Sequence, residues 1–166
     1  LRKPHATLQP ENMILALALA LAFSSCCASK PLSAIVVGGS SGMGKAAAVA
    51  VASRGGSVLL ASRSQDKLDS AAEEIRRAVP DVQLTTWVLD ASDEMAVQAF
   101  GEELDTHDHR WDALICTAAG KAPHGPIGEL STSDTAALFA SKFWTAHNAC
   151  KHITPRLIDG GVLVEI

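Results

Sequence analysis

The sequence predicts an α/β fold over residues 31–166: a doubly wound parallel sheet with helices on both faces. Three observations carry that expectation. Short apolar runs alternate with helical stretches of ten or more residues, the pattern of repeated strand-helix units. The first run drops into Gly38-Gly39-Ser40-Ser41-Gly42-Met43-Gly44 and emerges as an alanine-rich helix. The second, Ser57 to Ala61, is continuously apolar after its first residue, as strands covered on both faces are.

Taken in order, Ala34 to Val37 is the first strand and Met43 to Arg54 the first helix, ended by Gly55-Gly56. Ser57 to Ala61 is the second strand. Gln65 to Val79 follows as a helix with Leu68, Ala71, Ala72, Ile75 and Val79 on one face, stopped by Pro80. Val82 to Leu89 is the third strand. Ser92 is the expected N-cap of the next helix, with Asp93 and Glu94 in its first turn and Ala96, Phe100 and Leu104 along one side.

Trp111 to Cys116 reads as the fourth strand and Ala118 to Leu130 as a glycine and proline loop. Phe139, Phe143, Ala146, Cys150, Ile153 and Leu157 recur by threes and fours, which predicts the core stripe of a long helix closed by Gly160-Gly161. Val162 to Ile166 opens a fifth strand. Right-handed crossovers then give the strand order 3-2-1-4-5, with ligand bound at the carboxyl ends, above Gly38, Ser62, Asp90 and Thr117.

Composition sets the outer bounds. The chain has 166 residues, 48% hydrophobic, with a net charge of −4, which suits one core-forming domain and, without a basic run, gives no support for nucleic-acid binding. Residues 1–30 differ from the rest. Arg2 and Lys3 precede the apolar block Met13 to Phe23, too short for a stable membrane span of about 20 residues. The block fits the centre of a targeting segment, with small residues near Ala28, and equally an extension outside the fold. Compartment follows that choice: secretory or organellar if the segment is genuine, cytoplasmic if it is not. The cysteines show no metal-ligand spacing, Cys116 and Cys150 read as buried thiols, and the histidines form no ligand set, so no metal is expected.

The glycine turn itself suits a pyrophosphate. Gly38 lets the chain leave the strand sharply, Gly42 lets backbone approach a ligand, and Gly44 lets the helix pack close to the sheet. The N–H groups of the helix's first turn face outward at the positive end of its dipole. Ser40 and Ser41 add hydroxyl donors. After the second strand stands Ser62 with Arg63, where an acid would hold a ribose diol. A guanidinium there pairs with an extra phosphate, so NADP(H) is preferred over NAD(H), against the alternative of a solvated surface arginine.

The turn resembles the cofactor loop of the short-chain dehydrogenase/reductase family, Thr-Gly-x-x-x-Gly-x-Gly, with Val37 in place of the threonine. Thr117-Ala118-Ala119-Gly120 is similar to the family's Asn-Asn-Ala-Gly with both asparagines replaced. The resemblance covers Ser33 to Ile166 and implies a Rossmann-like cofactor domain and a small carbonyl or alcohol substrate. It assigns cofactor contacts to Gly38, Ser40, Ser41, Gly42, Met43 and Gly44, to Ser62 and Arg63, to Asp90 and Ala91 beside adenine, and to Ala118, Ala119 and Gly120 under the nicotinamide ribose. Asp90 reads equally well as helix-entry chemistry. Lys142 falls where the family carries a relay asparagine, and also reads as a surface lysine beside the apolar stripe.

The family's proton donor comes from Tyr-x-x-x-Lys with a preceding serine, and the 166 residues hold no tyrosine, so no catalytic residue is assigned. Two readings follow. One is the cofactor-binding portion of an NADP-dependent oxidoreductase, cut short after the fifth strand, with a homo-oligomer as an open state. The other is a non-catalytic nucleotide-binding or interaction module.

Overall fold

Ser33–Val37 forms the central strand, β1, buried at all five positions and paired in parallel on both sides. A computed structural model describes residues 31–106, 109–119, 123 and 125–166. The two readings of residues 1–30, the contact assigned to Gly120, and His107 and His124 lie outside the described residues.

After β1 come α1 (Gly42–Ala52), β2 (Ser57–Ser62), α2 (Gln65–Ala78), β3 (Leu84–Val88), α3 (Glu94–Asp105), β4 (Trp111–Cys116), α4 (Thr132–Ile153) and β5 (Leu157–Glu165). The sheet is parallel throughout, in the order β3-β2-β1-β4-β5, as the alternation of elements predicts. Its two faces divide the core. Ile35, Val37, Leu59, Ala61, Leu114 and Cys116 pack with Val97, Phe100 and Leu104 of α3 and Ala149 and Ile153 of α4. α1 and α2 pack against each other and the sheet, burying Ala47, Ala48, Val51, Leu68, Ala71, Ala72 and Ile75. At the amino edge, the buried Asp112 carboxylate accepts from Ser33 N and Oγ, each at 2.7 Å, tying β1 to β4.

Several expectations are corrected. The N-cap of α3 is Asp93, not Ser92: its carboxylate accepts from Met95 N and Ala96 N, while Ser92 bonds back to Asp90. β3 is trimmed at both ends. β5 starts earlier, at Leu157, because α4 ends at Ile153 and a 3₁₀ turn, Thr154–Arg156, leads straight into the strand. Gly160-Gly161 therefore close no helix. They lie in a bulge of β5, between the pairs Trp111↔Leu157 and Ala113↔Val162, where Gly160 takes φ +78°.

The largest correction concerns α4. Its buried residues are Ser141, Thr145, Asn148, Ala149 and Ile153, whereas Phe139 and Phe143 of the expected core stripe are 71% and 47% exposed. Two hydroxyls on the inner face are satisfied by the helix itself: Ser141 Oγ donates to Leu138 O at 2.8 Å and Thr145 Oγ1 to Ser141 O at 2.7 Å. Small side chains let the helix lie close to its neighbours, and the aromatics stack on one another outside, Phe139 on Phe143 and Phe143 on His147. Cys150 is half-buried rather than enclosed, and Leu157 belongs to β5.

Phe100 is 1% exposed with its ring 5.4 Å from that of Trp87, so Phe100→Ala should lower the urea-unfolding free energy by about 3–5 kcal/mol. Met95→Ala, on the 81% exposed face of the same helix, should stay within about 0.5 kcal/mol in the same titration.

Candidate functional site

The carboxyl ends of β1 to β4 open onto one cleft. β1 and the turn after it contribute Val37, Gly38, Ser40 and Ser41; β2 and the segment after it contribute Ser62, Arg63 and Ser64, and the first turn of α2 Lys67. From β3 come Leu89, Asp90, Ala91 and Ser92, from β4 Thr117, Ala118 and Ala119, and from α4 Thr145.

Each glycine of the turn meets a different demand. Gly38 takes φ +88°, and a Cβ there would lie 2.7 Å from both Ala118 N and Thr117 Oγ1. A Cβ on Gly44 would lie 2.5 Å from Gly38 O, so the start of α1 sits directly on the turn. Gly42, at φ +52°, has nothing within 4 Å of such a Cβ, which leaves its outer side open for a ligand. Ser41, the N-cap of α1, makes no side-chain bond to the helix, so the first N–H groups of α1 keep their hydrogen-bonding capacity. These features fit a bound phosphate.

Neighbouring loops brace the turn. Gly38 N donates to Ala61 O at 2.8 Å, and Ser40 and Ser62 share a hydroxyl hydrogen bond of 2.8 Å. Thr117 N donates to Val37 O at 2.8 Å, and Thr117 Oγ1 lies 3.4 Å from Val37 O and 3.3 Å from Gly38 O. A threonine hydroxyl thus ties β4 to the turn at the position where the family motif has an amide.

Of the residues expected from the sequence, Gly38, Ser40, Ser41, Ser62, Arg63, Asp90, Ala91, Ala118 and Ala119 come together around the cleft. Gly42, Met43 and Gly44, in the first turn of α1, are not among the residues that line the cleft. Lys142 is exposed on α4 and is not among the lining residues; its charge acts instead on Glu165, at the end of β5. Sequence reasoning missed Lys67, Thr145 and Asn148. Lys67 follows the N-cap Ser64 in the first turn of α2, a signal that was readable. Thr145 and Asn148 carried none, because their inward orientation depends on how α4 rotates against the sheet.

Arg63 and Lys67 give the β2 side of the cleft positive charge, while the Asp90 carboxylate accepts from Ser92 N at 3.0 Å and Ser92 Oγ at 2.6 Å. Beneath the β4 end, burial pushes the Cys116 thiol up to about 12, with the Glu165 charge adding to the effect. Burial likewise raises Glu165, whose Oε2 lies 3.9 Å from Cys150 Sγ. Among the described residues no group of His, Cys, Asp and Glu is arranged to hold a metal ion, and no helix is long and apolar enough to cross a membrane.

Gly44→Ala should lower the unfolding free energy by about 1–3 kcal/mol through the clash with Gly38 O, and abolish any phosphate binding with it. Gly42→Ala should cost about 1–2 kcal/mol, from backbone strain alone. Thermal melts of the two variants check each loss of stability. For Cys116 the folded-state pKa lies above the ordinary value of 9.0, so its contribution is complete below pH 9 and is lost as pH rises toward 12. Urea titrations should show wild type losing up to about 4 kcal/mol relative to Cys116→Ala across that window.

A family model described as short chain dehydrogenase matches residues 33–166. An uncharacterized oxidoreductase of Mycobacterium tuberculosis is 32% identical over 136 residues, covering 80% of this chain and 51% of its own. Sulfoacetaldehyde reductase 2 of Chromohalobacter salexigens is 30% identical over 132 residues, with the same coverage, 80% and 51%. Among solved structures, an NADPH-dependent reductase involved in bacilysin biosynthesis superposes with TM-score 0.66 at 27% identity, covering 76% of this chain and 50% of that one. An NADPH-bound short chain oxidoreductase from Pseudomonas aeruginosa gives TM-score 0.67 at 25% identity, covering 76% and 49%. The chain spans about half the length of these relatives. With the glycine turn, the sheet order and the family match in agreement, the chain belongs to the short-chain dehydrogenase/reductase family, whose members are oxidoreductases that bind nicotinamide cofactors.

Proposed function

We propose that residues 31–166 are the cofactor-binding portion of an NADP(H)-dependent oxidoreductase that interconverts a small carbonyl compound and its alcohol. The observation that carries this reading is the convergence, in one cleft, of an open glycine turn at a helix N-terminus with the cations Arg63 and Lys67. When bound, a nicotinamide dinucleotide supplies or accepts the hydride.

In this reading the turn from Gly38 to Gly44 holds the pyrophosphate, with Ser40 and Ser41 as hydroxyl donors and the first N–H groups of α1 as backbone donors. Ser62 in place of an acid removes the repulsion that a carboxylate would exert on a ribose phosphate, and Arg63 pairs with that phosphate. Lys67 adds a second positive charge on the same side. Asp90 and Ala91 flank the adenine, and Ala118 and Ala119 pass beneath the nicotinamide ribose. NADPH in the names of two solved relatives supports the choice of phosphate.

The alternative is a non-catalytic nucleotide-binding or interaction module. The coding frame past Ile166 separates the two. A serine followed by Tyr-x-x-x-Lys supports the oxidoreductase, and a stop codon on an expressed transcript supports the module.

Cofactor choice is tested by fluorescence titration with NADPH and NADH. Arg63→Ala should weaken NADPH binding about tenfold or more while changing NADH binding less than about twofold, as expected for one charge-assisted phosphate contact. Equal losses for both would overturn the assignment of Arg63.

A further inference from the structure

Asn148 lies on the buried face of α4, 2% exposed. An amide this deep is costly unless its hydrogen-bonding groups are used. Its Nδ2 donates to Ala91 O at 3.2 Å and Ser92 O at 3.4 Å. Both carbonyls belong to the segment after β3 that lines the cleft. Within the same segment the Asp90 carboxylate accepts from Ser92 N and Oγ. Thr145, about one turn earlier on α4 and 1% exposed, also lines the cleft. One face of α4 thus carries a residue in the cleft wall and another that grips the segment opposite.

We propose that Asn148 is a positioning residue for adenine recognition, holding the backbone of Ala91 and Ser92 so that this segment presents a fixed edge to the base. The inference rests on the nucleotide reading of the cleft given above. Asn148 itself touches no ligand in this scheme. Without its amide, the carbonyls of Ala91 and Ser92 lose a shared donor, and the shape of the segment rests more heavily on local bonds such as those from Ser92 to the Asp90 carboxylate and from Asp93 N to Asp90 O.

The test compares NADPH with its hypoxanthine analogue, reduced nicotinamide hypoxanthine dinucleotide phosphate, by fluorescence titration on the purified 166-residue chain. The two ligands differ only at the base edge. Wild type should prefer NADPH about tenfold, and Asn148→Ala should weaken NADPH about tenfold with less than a twofold change for the analogue, so that the preference collapses. An unchanged ratio in the variant, including equal weakening of both ligands, would overturn the positioning role. A wild type that binds neither ligand overturns the nucleotide site itself, and this inference with it.

Should Asn148→Ala fail to fold, Asn148→Ser, which keeps a small polar group, carries the same comparison. Hydrogen exchange on wild type adds a measurement free of substitution. NADPH should slow amide exchange in residues 89–93 and in residues 145–149 together, and slowing confined to the first segment overturns the coupling.

Discussion

At the carboxyl end of β1 the chain turns away from the sheet at Gly38, against the backbone of Thr117 and Ala118, with no room for a side chain between them. The rest of the site is measured from that contact. β1 is hydrogen-bonded on both edges and buried on both faces, so its end cannot shift to relieve crowding. The turn must therefore be made of backbone alone. Gly44 extends the constraint, because α1 can begin beside β1 only if its first turn sits on the carbonyl of Gly38. Close packing and an open helix N-terminus are consequences of one geometric requirement.

Thr117 shows how such a site tolerates replacement of a bracing group. What the junction between β1 and β4 needs is a donor within reach of the last carbonyls of β1, and a threonine hydroxyl supplies one from the adjacent strand. The side chain is short and β-branched, so its rotamer is restricted and the loss of an amide is partly offset by stiffness. Ser40 and Ser62 make a similar link on the other side of β1. The turn is thereby held from both neighbouring strands by small hydroxyl residues.

Charge around the cleft is unevenly distributed. Arg63 and Lys67 stand on the β2 side, at the N-terminal end of α2, where the helix dipole adds to their field. The β4 and β5 ends carry instead a protonated thiol and a carboxyl raised by burial. An anionic group entering the cleft is drawn toward the β2 side. The far side of α4 is tied down independently of this: Lys151 and His152 bond to Glu94 at 2.7 and 3.1 Å, and hold its carboxyl below the usual range.

The amino-acid sequence by itself determined the alternation of elements, the order of the sheet and the place of the glycine turn, because these follow from local pattern and from chirality that every such chain shares. Gly38, Ser62, Arg63, Asp90 and Thr117 could be placed at strand ends because strands were legible as apolar runs. The rotation of α4 could not. Its aromatic residues recur at helical spacing and so mimic a core stripe, yet the inner face is Ser141, Thr145, Asn148 and Ala149, chosen by how closely the helix must approach α3 and the sheet. Polar residues are admitted there because their hydrogen bonds close within α4 or onto the carbonyls of Ala91 and Ser92. Those partners lie 56 and 57 positions away, beyond the reach of any periodicity, and only tertiary packing brings them together.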